Sequence, residues 1–511
     1  MSSCQSRPDT YFIQRAVEKG LRAIEARLDV EEGYRPRFLL QLSPVPQLQH
    51  SIWDLGDMCS RYVDAGILGQ QAVGHGLPEH IDLALRGILF GCDPYLEPFM
   101  ATRMMITYVD VYLQNPTHEN KERVEDLVAL VRSRMTFEDD YAYYFRQPEG
   151  WSSQTQVMGH FIPYPTYPIG GLIIGLSRYL EVEQSEDARD LNDRLCKFVL
   201  DISGTFDMHG RYRGHTHSGG ILTAVAGILR WAINRGDDAV VERMKKAFDY
   251  TLQHSGSTGW IPDGLGESPG SCETCTLMDA IHAAILLARN VDTGYYDFIE
   301  RCVRNQLLEN QILKPERFMG EIIGPEMRAV ADALTGSWAS YSLPNSLDNC
   351  SESVEGCCLG SGIRGLCLAL DAAIEKRREW VQVNIPFSRN SEWCEVISYE
   401  PYVERMDIIM HDDSKVRVRI PAWVDRRDVR VSVDGDLVEF DTSSDLYIEI
   451  GGGYAGRTIC MEYPLRKVKI TENIDGQEYV LDWRGNTVVG IEPRGSLYPI
   501  YERELWELES W

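Results

Sequence analysis

The chain has no basic block and no surplus of positive charge. Its 51 Lys and Arg stand against 77 Asp and Glu, a formal net charge of -26 over 511 residues. Such a surface repels phosphate backbones and anionic headgroups, so neither nucleic acid nor a membrane is an expected partner. Met1 to Leu21 lacks an apolar stretch behind a basic start and instead enters an amphipathic pattern at Tyr11, Phe12, Ala16, Ala23 and Ile24. No secretory leader is expected, and no apolar run reads as long enough to span a bilayer. The 13 cysteines are odd in number and irregular in spacing, which does not make a disulfide framework. Reduced thiols in a cytoplasmic protein are the expectation.

At this length one ordinary core does not suffice, and a large domain with further domains attached is expected. Over the first three quarters, apolar residues recur at helical spacing: Leu85, Ile88 and Leu89; Met104, Met105, Val109 and Leu113; Leu172, Ile173, Leu176 and Leu180; Leu222, Val225, Ile228 and Leu229. Short stops such as Asn115-Pro116-Thr117 and Arg235-Gly236-Asp237 alternate with long loops at Pro148 to Pro168, His209 to Gly220 and His254 to Ser271. Repeated helical hairpins of this kind close into an α/α toroid. From about Val381 short β-branched runs separated by turns take over, as in an antiparallel β-sandwich. The expected division is a helical toroid over 1–378, a sandwich over 379–500 and a tail over 501–511.

Chemistry concentrates where loops meet helix starts. Tyr167 precedes the helix of Leu172, His215 and His217 that of Leu222, Glu273 and Cys275 that of Met278, and Cys357 and Cys358 that of Ile363. In a toroid these starts open on one funnel. A helix N-terminus favours thiolate over thiol, and zinc coordination removes the proton outright. Glu273, Cys275, Cys357 and Cys358 therefore read as a zinc site of three thiolates and one carboxylate, or as four ordinary buried residues. His215 and His217 face a ligand, cap their helix or bind metal; His160 is a weaker cavity candidate, and His282, on an apolar helix, reads as a core histidine. Trp151, Tyr164, Tyr167 and Trp260 are candidates for stacking on sugar rings or for loop packing. For a proton donor the loop before Ser271 offers Asp263 and Glu267, with Glu321, Glu352 and Glu355 as competitors.

Glu273-Thr274-Cys275 ahead of one helix and Cys357-Cys358 ahead of another resemble the zinc-dependent β-L-arabinofuranosidase family, retaining glycosidases with a cysteine nucleophile. Asp54-Leu55-Gly56-Asp57, His217 with Gly227, Arg419-Ile420-Pro421-Ala422-Trp423, Val433-Asp434-Gly435 and Gly495-Ser496-Leu497-Tyr498 add weaker support. The resemblance implies an (α/α)6 barrel with β-sandwich material, Cys357 as nucleophile, zinc held by Glu273, Cys275, Cys357 and Cys358, and His217 touching the sugar. Cysteine then replaces the second carboxylate of the usual retaining pair. The family's acid/base glutamate lies farther ahead of Glu-x-Cys than the loop here allows, and Glu267 is the best substitute. Gly170-Gly171-Leu172 stands where the family has Gly-His-Leu, and Leu359-Gly360 where it has two prolines. A related sugar rather than the family's own is therefore an open substrate, and assembly into a homo-oligomer is open as well. Two other readings stand beside this one: a toroid carbohydrate hydrolase or lyase working through carboxylate and histidine without zinc, and a non-catalytic carbohydrate-binding protein with a structural zinc.

Overall fold

A computed structural model describes residues 10–95, 100–143, 166–212, 217–265, 270–403, 405–441 and 446–502, with backbone alone at 166–168. Among these, six helices touch one another in a closed order. They are α1 (Cys59–Val73), α2 (Met100–Gln114), α3 (Thr166–Tyr179), α4 (Ser218–Arg235), α5 (Thr274–Asn290) and α6 (Gly356–Ala373), and α6 packs back on α1. Each is backed by one outer helix: Glu79–Gly91 on α1, His118–Arg134 on α2, Glu186–Lys197 on α3, Asp238–Leu252 on α4, Tyr295–Arg301 on α5 and Phe12–Ala26 on α6.

Sequence decides which helix goes where. A helix that is apolar or small all round must be buried, whereas one with a narrow apolar stripe keeps a face in water. Every residue of α5 from Thr274 to Ala288 is buried. His118–Arg134 buries only Asn120, Val124, Leu127, Val128 and Val131, at helical spacing along a highly charged segment. Contrary to the reading of the sequence, one helix, α6, is long and apolar enough to cross a membrane; 89% of it is buried inside the ring.

Glycines set the closest approaches between ring helices. A Cβ on Gly227 of α4 would lie 2.8 Å from the Gly170 carbonyl of α3, and one on Gly170 would lie 2.7 Å from the Ala224 amide nitrogen. A Cβ on Gly171 would meet Thr102 Cγ2 of α2 at 2.3 Å. The histidine that the resemblance would place at position 171 thus has no room.

Small strand pairs brace the helix starts. Leu39–Gln41 (β1) pairs antiparallel with Gln47–Gln49 (β2) and with Ser353–Glu355 (β5), just before α6. Cys272–Glu273 (β3), just before α5, pairs with Tyr341–Ser342 (β4).

Strands begin at Ile374, which forms a hairpin from Ile374–Arg377 to Trp380–Val383, so the change from helix to strand comes earlier than 378/379. A four-stranded sheet runs Ile374–Arg377, Trp380–Val383, Lys415–Arg419, Tyr447–Ile450, its middle pair parallel. A six-stranded sheet runs Arg389–Asn390, Cys394–Ser398, Arg405–Met410, Thr458–Glu462, Arg430–Val433, Asp436–Leu437, all antiparallel. Alternating burial, as in Cys394, Val396 and Ser398, turns one side of its strands inward. A meander of Lys467–Ile474, Gln477–Arg484 and Thr487–Glu492 follows. Asn486 ties it to the helices by donating to Glu300 at 2.8 Å, and Tyr501 donates its amide to Glu309 at 3.0 Å. Of the tail, 503–511 lies outside the described residues.

Candidate functional site

Glu273 is the last extended residue before α5, and Glu355 holds the same place before α6. Two residues on, each helix presents a cysteine, Cys275 and Cys357. Thr274 is fixed by donating its hydroxyl to the Ala339 carbonyl at 2.7 Å while accepting from Asn310 at 3.1 Å. Its counterpart must be Gly356, where a Cβ would lie 2.8 Å from the Tyr62 hydroxyl and 2.9 Å from the Met58 sulfur.

The two starts converge. Ligand atoms of Glu273, Cys275, Cys357 and Cys358 all lie within 4.8 Å of one another, and all four residues are buried. The Cys275 and Cys358 sulfurs are 3.6 Å apart, those of Cys357 and Cys358 3.9 Å, and Cys358 Sγ is 3.8 Å from Glu273 Oε1. Four ligands around zinc with Zn–S near 2.3 Å stand about 3.8 Å apart, so the cluster has the spacing and the soft donors of a tetrahedral zinc site. Adjacent cysteines reach one centre here because both lie in the first turn of α6.

Cations surround the cluster. His217 Nε2 lies 2.7 Å from Glu273 Oε2, and Nδ1 lies 3.1 Å from the Gly219 amide nitrogen, so His217 sits at the start of α4 and bonds a cluster carboxylate. Burial alone would lower the His217 pKa, but the charge and hydrogen bond of Glu273, then Asp263 and Cys275, raise it to about 10. Burial and the charge of Cys275 push Glu273 up to about 8, against the pull of His217. On the Cys275 side, Arg61 Nη1 lies 3.9 Å from the sulfur and donates to Ser361 at 2.7 Å, while its Nε meets both Asp57 oxygens at 3.0 Å. Cys275 is held well below the ordinary thiol range, first by hydrogen bonds from Cys357 and Cys358, and Cys357 is pushed up as the donor. Cys357 also points at Glu355 Oε2, 3.6 Å away.

The remaining residues singled out in the sequence divide clearly. Asp263 lies beside the cluster: its Oδ1 is 3.4 Å from His217 Nδ1 and accepts no hydrogen bond among the described residues. Glu321 and Glu352 are exposed. Glu267, His215 and His160 lie outside the described residues, as do Trp151, Tyr164 and the side chain of Tyr167. Trp260 is 1% exposed and donates its indole N–H to the Ser342 carbonyl at 3.1 Å, so it braces the β3–β4 pair and does not stack on a sugar. His282 is buried within α5, and burial holds its pKa well down, as a core histidine requires.

Three neighbours were not anticipated. Arg61 follows Asp57 by four residues, an ion-pair spacing legible in the sequence. Tyr341 and Arg27 gave no such signal. The Tyr341 hydroxyl is pushed far up, first by the charge of Glu273.

The fold resembles those of several solved structures. A GH127 beta-L-arabinofuranosidase from Geobacillus stearothermophilus T6 superposes with a TM-score of 0.62 at 12% identity, covering 93% of this chain and 80% of that one. A second GH127 beta-arabinofuranosidase gives 0.62 at 15% identity, covering 94% and 81%. The chain shares the fold of these GH127 enzymes. A cellobiose 2-epimerase from Bacillus thermoamylovorans B4167 matches 70% of this chain with a TM-score of 0.50 at 10% identity, covering 98% of its own length. No protein-family model matches the sequence, and a search of curated proteins finds no match.

Proposed function

We propose that the protein is a retaining glycoside hydrolase that uses Cys357 as its nucleophile and acts on a β-L-arabinofuranoside or a related sugar. One observation carries this reading: the ligand atoms of Glu273, Cys275, Cys357 and Cys358 meet within 4.8 Å at the starts of two adjacent ring helices. The likeness in fold to two GH127 enzymes supports the substrate class. The ring with its outer helices is taken as an (α/α)6 barrel carrying the chemistry. The sheets from Ile374 to about 500 are taken as the β-sandwich region.

Zinc held by those four residues would keep the sulfurs as thiolates at neutral pH. Cys357 Sγ attacks the anomeric carbon as a carboxyl protonates the leaving oxygen, and the thioglycoside so formed is hydrolysed by a water that the same carboxylate deprotonates. Glu267 is assigned this proton transfer, with Asp263 of the same loop as the alternative. Glu355 holds the Cys357 sulfur in place, and His217 orients Glu273 and faces the sugar. The acidic composition and free thiols suit a cytoplasmic enzyme.

The test is metal content together with a screen of aryl glycosides on wild type and Cys357→Ala. Zinc near one per chain, with hydrolysis lost in the variant, supports the reading. Turnover that survives in Cys357→Ala, without zinc, would leave a carboxylate or histidine mechanism. Sugar binding without turnover, with chelator-induced unfolding, would leave a structural zinc.

A further inference from the structure

Arg27 follows the helix Phe12–Ala26 and is wholly buried. Its guanidinium donates from Nη1 to the Phe38 carbonyl at 3.1 Å and from Nη1 and Nη2 to the Val354 carbonyl at 3.4 Å, and Nε finds no hydrogen-bond partner among the described residues. Among the described residues no carboxylate pairs with it. The other buried arginines of the helical region do meet one: Arg61 and Arg103 meet Asp57, Arg364 meets Asp64, and Arg304 meets Glu300. A buried guanidinium keeps its proton, and a buried charge without a counter-charge costs several kcal/mol.

The two carbonyls that hold Arg27 lead to the cluster. Phe38 O also accepts the Gly356 amide at 2.7 Å, and Val354 is three residues before Cys357. A dication with three thiolates and one carboxylate carries two surplus negative charges. His217 and Arg61 stand on the Glu273 and Cys275 sides. We infer that Arg27 is the counter-charge and positioning residue of the Cys357–Cys358 side, offsetting the negative charge of the loaded cluster while it fixes the start of α6. Burial lowers the Arg27 pKa, and the opposing pull comes from Tyr62, Cys357, Cys358 and Glu355, in that order. The inference rests on the metal reading above.

The experiment measures zinc affinity by chelator competition, and thermal unfolding with and without zinc, for wild type, Arg27→Met and Arg27→Lys. Zinc affinity is expected to fall about tenfold or more in Arg27→Met and to be largely retained in Arg27→Lys. Without zinc, Arg27→Met is expected to melt no lower than wild type, because an isolated buried charge is gone; with zinc it melts lower. If Arg27→Met does not fold, Arg27→Gln, which keeps an amide donor for one carbonyl, carries the same comparison. Unchanged zinc affinity with equal destabilisation in both forms would reduce Arg27 to a structural tie and overturn the inference alone. Failure of the wild type to bind zinc would overturn the metal reading and this assignment together.

Discussion

Glu273 and Glu355 occupy equivalent positions on neighbouring ring helices, yet they face different partners. Glu273 sends one oxygen toward Cys358 at 3.8 Å and the other toward His217 at 2.7 Å, whereas Glu355 meets the Cys357 sulfur at 3.6 Å. Two Glu-x-Cys segments, alike in local structure, are thereby given different work.

Glu273→Gln removes a hard anionic ligand and is expected to weaken zinc binding by about 10–100-fold. Glu355→Gln is expected to leave zinc content unchanged and to lower kcat. Metal analysis alongside aryl-glycoside kinetics separates the two, and equal zinc loss in both variants would contradict the division.

Cys357→Ser keeps the size of the side chain but offers a far poorer nucleophile. A loss on the order of 10³-fold or more in kcat/KM is expected, with the circular dichroism of wild type. In trapping with a slow aryl substrate, a mass increase of one sugar should map to Cys357 and be absent from Cys357→Ala.

The proton donor is expected to lie in the loop before Ser271. Asp263→Asn and Glu267→Gln should each be assayed with a good and a poor leaving group. The true acid loses far more on the poor leaving group, and azide rescues its hydrolysis of the good one. A pattern confined to Glu355→Gln would move the role to Glu355.

Far from the site, Glu400 is buried between helices and sheets, its Oε1 accepting the Asn486 amide at 2.6 Å. Burial, and then the charge of Glu300 against the pull of Arg304, raises it from 4.5 to about 7. A carboxyl raised in the folded state contributes stability below its unfolded value and loses it as pH climbs through the folded one. Wild type should therefore lose stability relative to Glu400→Gln between pH 4.5 and about 7. The Tm advantage of the variant should be larger at pH 8 than at pH 5, and a flat difference would refute this.

At position 171 the obstacle is steric. Gly171→Ala is expected to destabilise by about 1–3 kcal/mol because its Cβ meets Thr102, and Thr102→Ala should recover part of that loss in the double variant. Additive losses in denaturant unfolding would show that the contact is not the cause.

Much of this was legible in the sequence, for identifiable reasons. Strands such as Cys394–Ser398 and Thr458–Glu462 are legible as short runs containing β-branched residues and separated by turns. The cysteines and Glu273 stand at helix starts because a polar residue next to a long apolar helix has few other places to go. The strands of the meander from Lys467 were not singled out in the sequence, although Lys467 to Thr471 alternates polar and apolar residues; the first strand is largely solvent-facing and carries few large apolar side chains. Arg27 escaped because a cation at a helix C-terminus ordinarily signals a solvated end, and only tertiary packing buries it. Trp260 looked like a loop aromatic for the same reason: sequence gives the ring but not the depth.

The pairing of β1 with β5 joins residue 40 to residue 354. During synthesis β1 and β2 emerge some three hundred residues before β5, so the β1 edge that β5 fills has no partner until the helical region is nearly complete. The cysteine pair reaches its place only when that edge is filled and α6 closes on α1. A chain that ends before α6 therefore holds two of the four donors, Glu273 and Cys275, and lacks Cys357 and Cys358, so on the proposed mechanism it has no nucleophile until the ring is complete.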